Sequence, residues 1–133
     1  MKIYLSHAGA DAKWAQELAR CLDKEGFKVW TPLNELTPGE NWARALENAL
    51  ESSDAMVVLL SPDAIKSQWT RFEIDYALSS PKYQNRLVSV LLKPTQDVPW
   101  ILRKLRWINA AKDPATTARQ IVDVLKPAAP AAA

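Results

Sequence analysis

Apolar residues recur along this chain in two alternating rhythms: short compact runs, and longer stretches spaced three and four apart. Residues 2–6 (KIYLS) are the first short run and read as a strand. Trp14, Leu18, Cys21 and Leu22 then fall at helical spacing, which predicts a helix with one buried face ending near residue 25. Asp11 stands where an N-cap is expected, and Gly26 where such a helix would stop. Residues 27–30 (FKVW) read as a second strand. A helix over about 40–52 is predicted from Trp42, Leu46, Ala49 and Leu50. Residues 55–60 (AMVVLL) are apolar without alternation, the pattern of a parallel strand covered on both faces.

The second half repeats the rhythm. Ser61-Pro62-Asp63 breaks the strand and starts a short helical segment, and Ser67 caps a further helix running to about Leu78. Residues 86–92 read as a fourth strand, 100–103 as a short helix and 105–108 as an edge strand. Asp113-Pro114 opens a last helix with Ile121, Val122 and Leu125 inward. Strands alternating with helices predict an α/β fold with right-handed crossovers. The expected architecture is a flavodoxin-like three-layer sandwich. Its parallel sheet has five strands in the order 2-1-3-4-5, with helices on both faces. Ligands in such sheets bind beyond the carboxyl ends of the strands, at the switch point between the first and third. Ser6-His7 and the segment from Ser61 onward are therefore the places to look.

Composition narrows the class. The chain has 133 residues, 48% of them hydrophobic and 24% charged, which suits one globular domain. A net charge of +2, without like-charged runs, gives no reason to expect nucleic acid or a membrane surface as partner. One cysteine, Cys21, allows no intrachain disulfide and fits a reducing, cytoplasmic setting. No signal peptide or membrane span is expected. The domain is expected to cover residues 1–126. Residues 127–133, proline and alanine only, read as a disordered tail or a linker to another domain.

Few residues suggest chemistry. Trp69 and Glu73 are four apart on the helix after the switch-point strand, so they share one face. A carboxylate beside an indole is partly desolvated. On spacing alone, a solvated Glu73, paired with Lys66 or Arg71, is the favoured expectation. Ser6-His7 lacks a placed acid for a hydrolytic triad. One histidine and one cysteine support no metal site, and three glycines, at 9, 26 and 39, form no phosphate loop. The nine-residue loop 31–39 is long beside the roughly 4–6 residues of a usual connection, and long loops in compact domains often carry function.

Five segments in order resemble the bacterial type of Toll/interleukin-receptor (TIR) domain. They are Ile3-Tyr4-Leu5-Ser6-His7 with Asp11 and Trp14, Gly26 to Trp30, Leu36-Thr37-Pro38-Gly39 with Trp42, Ser53 to Pro62, and Ser67-Gln68-Trp69-Thr70-Arg71-Phe72-Glu73. The resemblance spans nearly the whole chain. It implies NAD⁺ cleavage at the nicotinamide–ribose bond, with Glu73 as the catalytic residue. It implies substrate contacts from Ser6, His7, Ala8, Trp30, Leu33 and Trp69, and no resident cofactor, NAD⁺ being the substrate. It implies self-association through Asn34, Glu35, Leu36, Thr37, Pro38 and Gly39 of the family's BB loop, giving homo-oligomers or filaments. A fused or associated sensor domain and a role in bacterial anti-phage defence follow from the same resemblance. The chain departs from the family at Thr31-Pro32, where many members carry an aspartate, and at His7-Ala8, where some carry an arginine.

One carboxylate is chemically sufficient for this reaction. Ordinary glycosidases need a second to protonate the leaving group. The nicotinamide of NAD⁺ is already cationic and leaves neutral. Capture of the ribosyl cation by water gives ADP-ribose, and capture by an internal nucleophile gives a cyclic ADP-ribose. The rival reading is a non-catalytic TIR module acting by homotypic assembly. A phospho-acceptor receiver of similar topology is excluded, since Ser6-His7 and Ser61-Pro62 stand where it needs acidic residues.

Overall fold

The computed structural model describes residues 1–31 and 42–125, with Trp42 described by its backbone alone. The expectations for Leu33, for Asn34 to Gly39, for the Trp42 side chain and for the tail 127–133 lie outside the described residues. Within them, β1 (Lys2–Ser6) leads through a 3-10 turn at Gly9–Asp11 into α1 (Ala12–Lys24), then β2 (Lys28–Trp30). Next come α2 (Trp42–Ser52), β3 (Ala55–Leu60), α3 (Pro62–Lys66) and α4 (Gln68–Ser79). A 3-10 turn at Pro81–Tyr83 precedes β4 (Leu87–Leu91), followed by α5 (Trp100–Lys104), β5 (Arg106–Asn109) and α6 (Pro114–Leu125). All four strand pairings are parallel, and the order is β2-β1-β3-β4-β5. The five-stranded flavodoxin-like sheet expected from the hydrophobic pattern is the sheet observed.

Strand parity divides the core into two layers. Ile3, Leu5, Ala55, Val57, Leu59, Val88 and Val90 pack on one face against Leu18 and Leu22 of α1 and Ile121 and Val122 of α6. The alternate residues Tyr4, Met56, Val58, Leu60 and Leu87 face Leu46 and Leu50 of α2 and Ile74 and Ala77 of α4. Every residue of β3 is buried, as its unbroken apolar run predicts. Cys21 is part-buried against the first layer. Among the described residues no helix is long and apolar enough to cross a membrane.

Several of the described helix ends follow local chemistry. Gly26 sits at φ +94, a left-handed backbone that favours glycine. Its N–H donates to Asp23 O at 3.0 Å, and the Phe27 N–H to Leu22 O at 3.1 Å, the paired bonds of a Schellman end. Ser61 and Ser67 cap α3 and α4 by accepting from the N–H groups of Ala64 and Thr70. Asp113 caps α6 by accepting from Thr116 N–H at 3.1 Å. Asp11 departs from its expected capping role. Its side chain makes no capping bond to α1. It is buried and bonded instead to Ser61 across the sheet, a tertiary preference that spacing cannot reveal.

Candidate active site at the carboxyl end of the sheet

The site is built where β1 ends. Tyr4 and Ser6 are two apart on one strand, so both side chains point to the face covered by α2 and α4. Above them, α4 lowers Glu73 from its second turn toward the sheet. Glu73 is 3% exposed. The Ser6 hydroxyl donates to Glu73 Oε1 at 2.8 Å, and the Tyr4 phenol donates to Oε2. Each carboxylate oxygen thus has its own buried donor. The alternative of a solvated Glu73 paired with Lys66 or Arg71 is overturned. Arg71 Nε donates to the Ile65 carbonyl at 2.9 Å instead.

Burial dominates the electrostatics. Desolvation pushes the Glu73 carboxyl up to about 6, against the hydrogen bonds from Tyr4 and Ser6, which favour the ionised form. The Tyr4 phenol is driven above its ordinary range by its own burial and then by the neighbouring carboxylate. It therefore stays a donor at every physiological pH. Tyr4 is held from its other side by the Trp30 ring, 5.0 Å away between centroids and tilted by 32°.

A carboxyl raised from 4.5 to about 6 in the folded state binds its proton more tightly there than in the unfolded chain. That contribution to stability is complete below pH 4.5 and is lost as pH rises through 6. Ionised Glu73 then costs the fold about 2 kcal/mol at neutral pH. Glutamine keeps the shape and can still accept from Tyr4. Glu73→Gln is therefore expected to raise the melting temperature by roughly 7 °C at pH 7.5. Paired thermal melts at pH 4 and pH 7.5 check this. An equal difference at both pH values contradicts it.

Glu73 reaches the outside through a cleft of about 360 Å³. Its walls are the loop His7 to Ala10, Leu46 of α2, Asp63 of α3, and Ser67, Trp69 and Thr70 of α4. His7 Nδ1 lies 2.9 Å from the Ala8 carbonyl oxygen, which calls for a proton on that nitrogen. Of the residues proposed from sequence, His7, Ala8, Trp69 and Glu73 come together in this cleft. Ser6 is fully buried behind Glu73, and Trp30 packs on Tyr4 and forms no part of the cleft wall. Trp69 is half exposed and meets Phe72 edge-on, with ring centroids 6.3 Å apart.

Sequence reasoning did not single out Tyr4, Leu46, Asp63 or Thr70 as part of the site. Tyr4 was the legible omission, because a residue two before Ser6 on a strand must share its face. Among the described residues, two larger cavities lie elsewhere. One of about 690 Å³ is at the opposite end of the sheet, beside Tyr83, Asn85 and Leu105. One of about 680 Å³ lies past β4 and β5, beside Trp14, Lys93 and Lys112. Neither contains Glu73. Among the described residues no group of three or more His, Cys, Asp or Glu side chains gathers as a metal site would require.

Comparison with known proteins places this geometry. A family model described as "TIR domain" matches residues 3–123. The chain is 26% identical over 114 residues to human Toll-like receptor 1, covering 82% of this chain and 14% of that protein. It is 30% identical over 73 residues to the 2′ cyclic ADP-D-ribose synthase BtTIR of Bacteroides thetaiotaomicron, covering 54% of this chain and 25% of that one. The chain therefore spans a quarter or less of either relative. The solved TIR domain of the Toll-related receptor TRR-2 from Hydra magnipapillata superposes with a TM-score of 0.76 at 22% identity. That match covers 93% of this chain and 98% of the other. With the sheet order, the buried glutamate on α4 and the family match in agreement, this chain belongs to the TIR domain family.

Proposed function

We propose that this domain cleaves NAD⁺ at the nicotinamide–ribose bond, with Glu73 as the catalytic carboxylate. One observation carries the proposal. A buried carboxylate, held by two donors that fix both of its oxygens, faces a cleft at the switch point of the sheet. Such a group is preorganised, so it need not reorient when positive charge develops. The relation to a bacterial 2′ cyclic ADP-D-ribose synthase supports the same reading.

In the reaction the C–N bond breaks and its electron pair goes to the nicotinamide nitrogen, which becomes neutral. The ribose carries the positive charge left behind. Ionised Glu73 opposes that charge and can accept hydrogen bonds from ribose hydroxyls. Water captures the cation and releases a proton, giving ADP-ribose. Capture by a nucleophile of the same molecule gives a cyclic product. At pH 7 a carboxyl with a pKa of about 6 is about nine-tenths ionised. Self-association through residues 31–39 and a signalling role in anti-phage defence belong to the same proposal.

The direct test is to incubate the domain at high concentration with NAD⁺, measure nicotinamide, and separate linear from cyclic product by chromatography. Release that declines below about pH 6 is expected. No release over background at any protein concentration would refute the proposal. The reading as an interaction module has one observation on its side, the exposed Trp69–Phe72 pair. A pure scaffold has no use for a carboxylate buried at a cost.

A further inference from the structure

The loop that walls the cleft after β1 is tied at both ends. At its start, the Ser6 hydroxyl donates to Glu73 at 2.8 Å. At its far end stands Asp11, 5% exposed. Ser61 Oγ donates to Asp11 Oδ2 at 2.5 Å, a length suited to a hydroxyl on a charged acceptor. Ser61 Oγ also accepts from Ala64 N–H at 3.2 Å. Its two roles are thereby filled, and its single hydrogen is committed to Asp11. Lys93 Nζ lies 3.9 Å from Asp11 Oδ1. The Lys93 side chain is 61% exposed, so its attraction is screened and small.

The placement of Asp11 is costly by local rules. It gives up capping α1 with its side chain, and it buries a carboxylate, which is unfavourable unless bonded. What it gains is a link between the loop after β1 and the end of β3. These are the two strand ends that define the switch point. Between Ser6 and Asp11 lie His7, Ala8, Gly9 and Ala10, all four of which line the cleft.

We propose that Asp11 is a positioning residue for this cleft: through Ser61 it holds the loop 7–10 against β3, so that the wall across from Glu73 keeps its shape. Asp11 touches no substrate in this scheme. The proposal rests on the reading of the cleft as the NAD⁺ site, and its test separates the two. The protein is compared with Asp11→Ala, Asp11→Asn, Ser61→Ala and Lys93→Ala by amide hydrogen exchange and by steady-state kinetics.

Asp11→Ala and Ser61→Ala are expected to speed exchange of the amides at 7–11 about tenfold, with those of β3 unchanged. They are expected to raise KM for NAD⁺ about tenfold while kcat stays within about threefold, as a misplaced wall predicts. Asparagine still accepts from Ser61, so Asp11→Asn is expected to restore both readouts. Lys93→Ala is expected to match the unmodified protein. If both alanine variants at 11 and 61 are merely less stable, with loop exchange and KM unmoved, the proposal is overturned. An Asp11→Asn protein as loose as Asp11→Ala also overturns it. Should the unmodified protein release no nicotinamide, the catalytic reading falls, and loop exchange still decides whether Asp11 holds the wall.

Discussion

Glu73→Gln is expected to lower nicotinamide release about a thousandfold, in a protein that is folded and more stable than its parent. The substitution removes charge and little else. Tyr4 can donate to the amide oxygen, and the amide nitrogen can donate to the Ser6 hydroxyl. The volume is conserved, so the surrounding layer of Leu46, Ile74 and Ala77 has no reason to move. What disappears is the negative charge that opposes the ribosyl cation. A thousandfold loss corresponds to about 4 kcal/mol in the barrier, within the range for a preorganised electrostatic contact. Coupled loss of activity and gain of stability is the signature of a group kept for function at the expense of the fold. Nicotinamide release and thermal melting on the same preparation measure both. A variant retaining a tenth of the activity would show that Glu73 is not the acting group.

Tyr4→Phe is expected to change the pH dependence of the same reaction. The phenol is fully buried, and its hydrogen bond favours the ionised form of Glu73. A hydrogen bond to a charged group is worth about 1.5–3 kcal/mol. Its loss should move the carboxyl from about 6 into roughly the 7–8 range. The phenyl ring keeps the contact with Trp30, so packing is preserved. Release at pH 7 should then fall roughly two- to tenfold and recover largely by pH 9. The measurement is the full pH profile of both proteins. Superimposable acid limbs would show that Tyr4 does not tune Glu73.

Much of this fold is legible in the sequence itself. The unbroken apolar run at 55–60 could only be a strand covered on both sides, and the alternation with helices then set the sheet order. Glu73 was legible as a residue and ambiguous as an environment. Its spacing from Trp69 is the same whether it is solvated or buried. What resolves the ambiguity is the pair of donors on β1, sixty-nine and sixty-seven residues away in the chain. Partners at that separation leave no local signal. Asp11 misled for the same reason, since a capping position and a tertiary partner look alike in sequence. Trp69 was the weakest inference about shape: its indole lines the cleft yet is half exposed. Helix spacing gives a residue's face and says nothing of how far the neighbouring α2 extends to cover it.

The chemistry proposed for Glu73 joins an ionisation to a reaction, and both can be followed in one protein. The Glu73 carboxyl carbon, observed by NMR in labelled protein and assigned by its absence in Glu73→Gln, should titrate with a midpoint of about 6. The acid limb of nicotinamide release should fall at the same pH. A carboxyl that titrates at its ordinary value near 4.5, or an activity indifferent to its ionisation, would contradict the assignment of Glu73 as the group that cleaves NAD⁺.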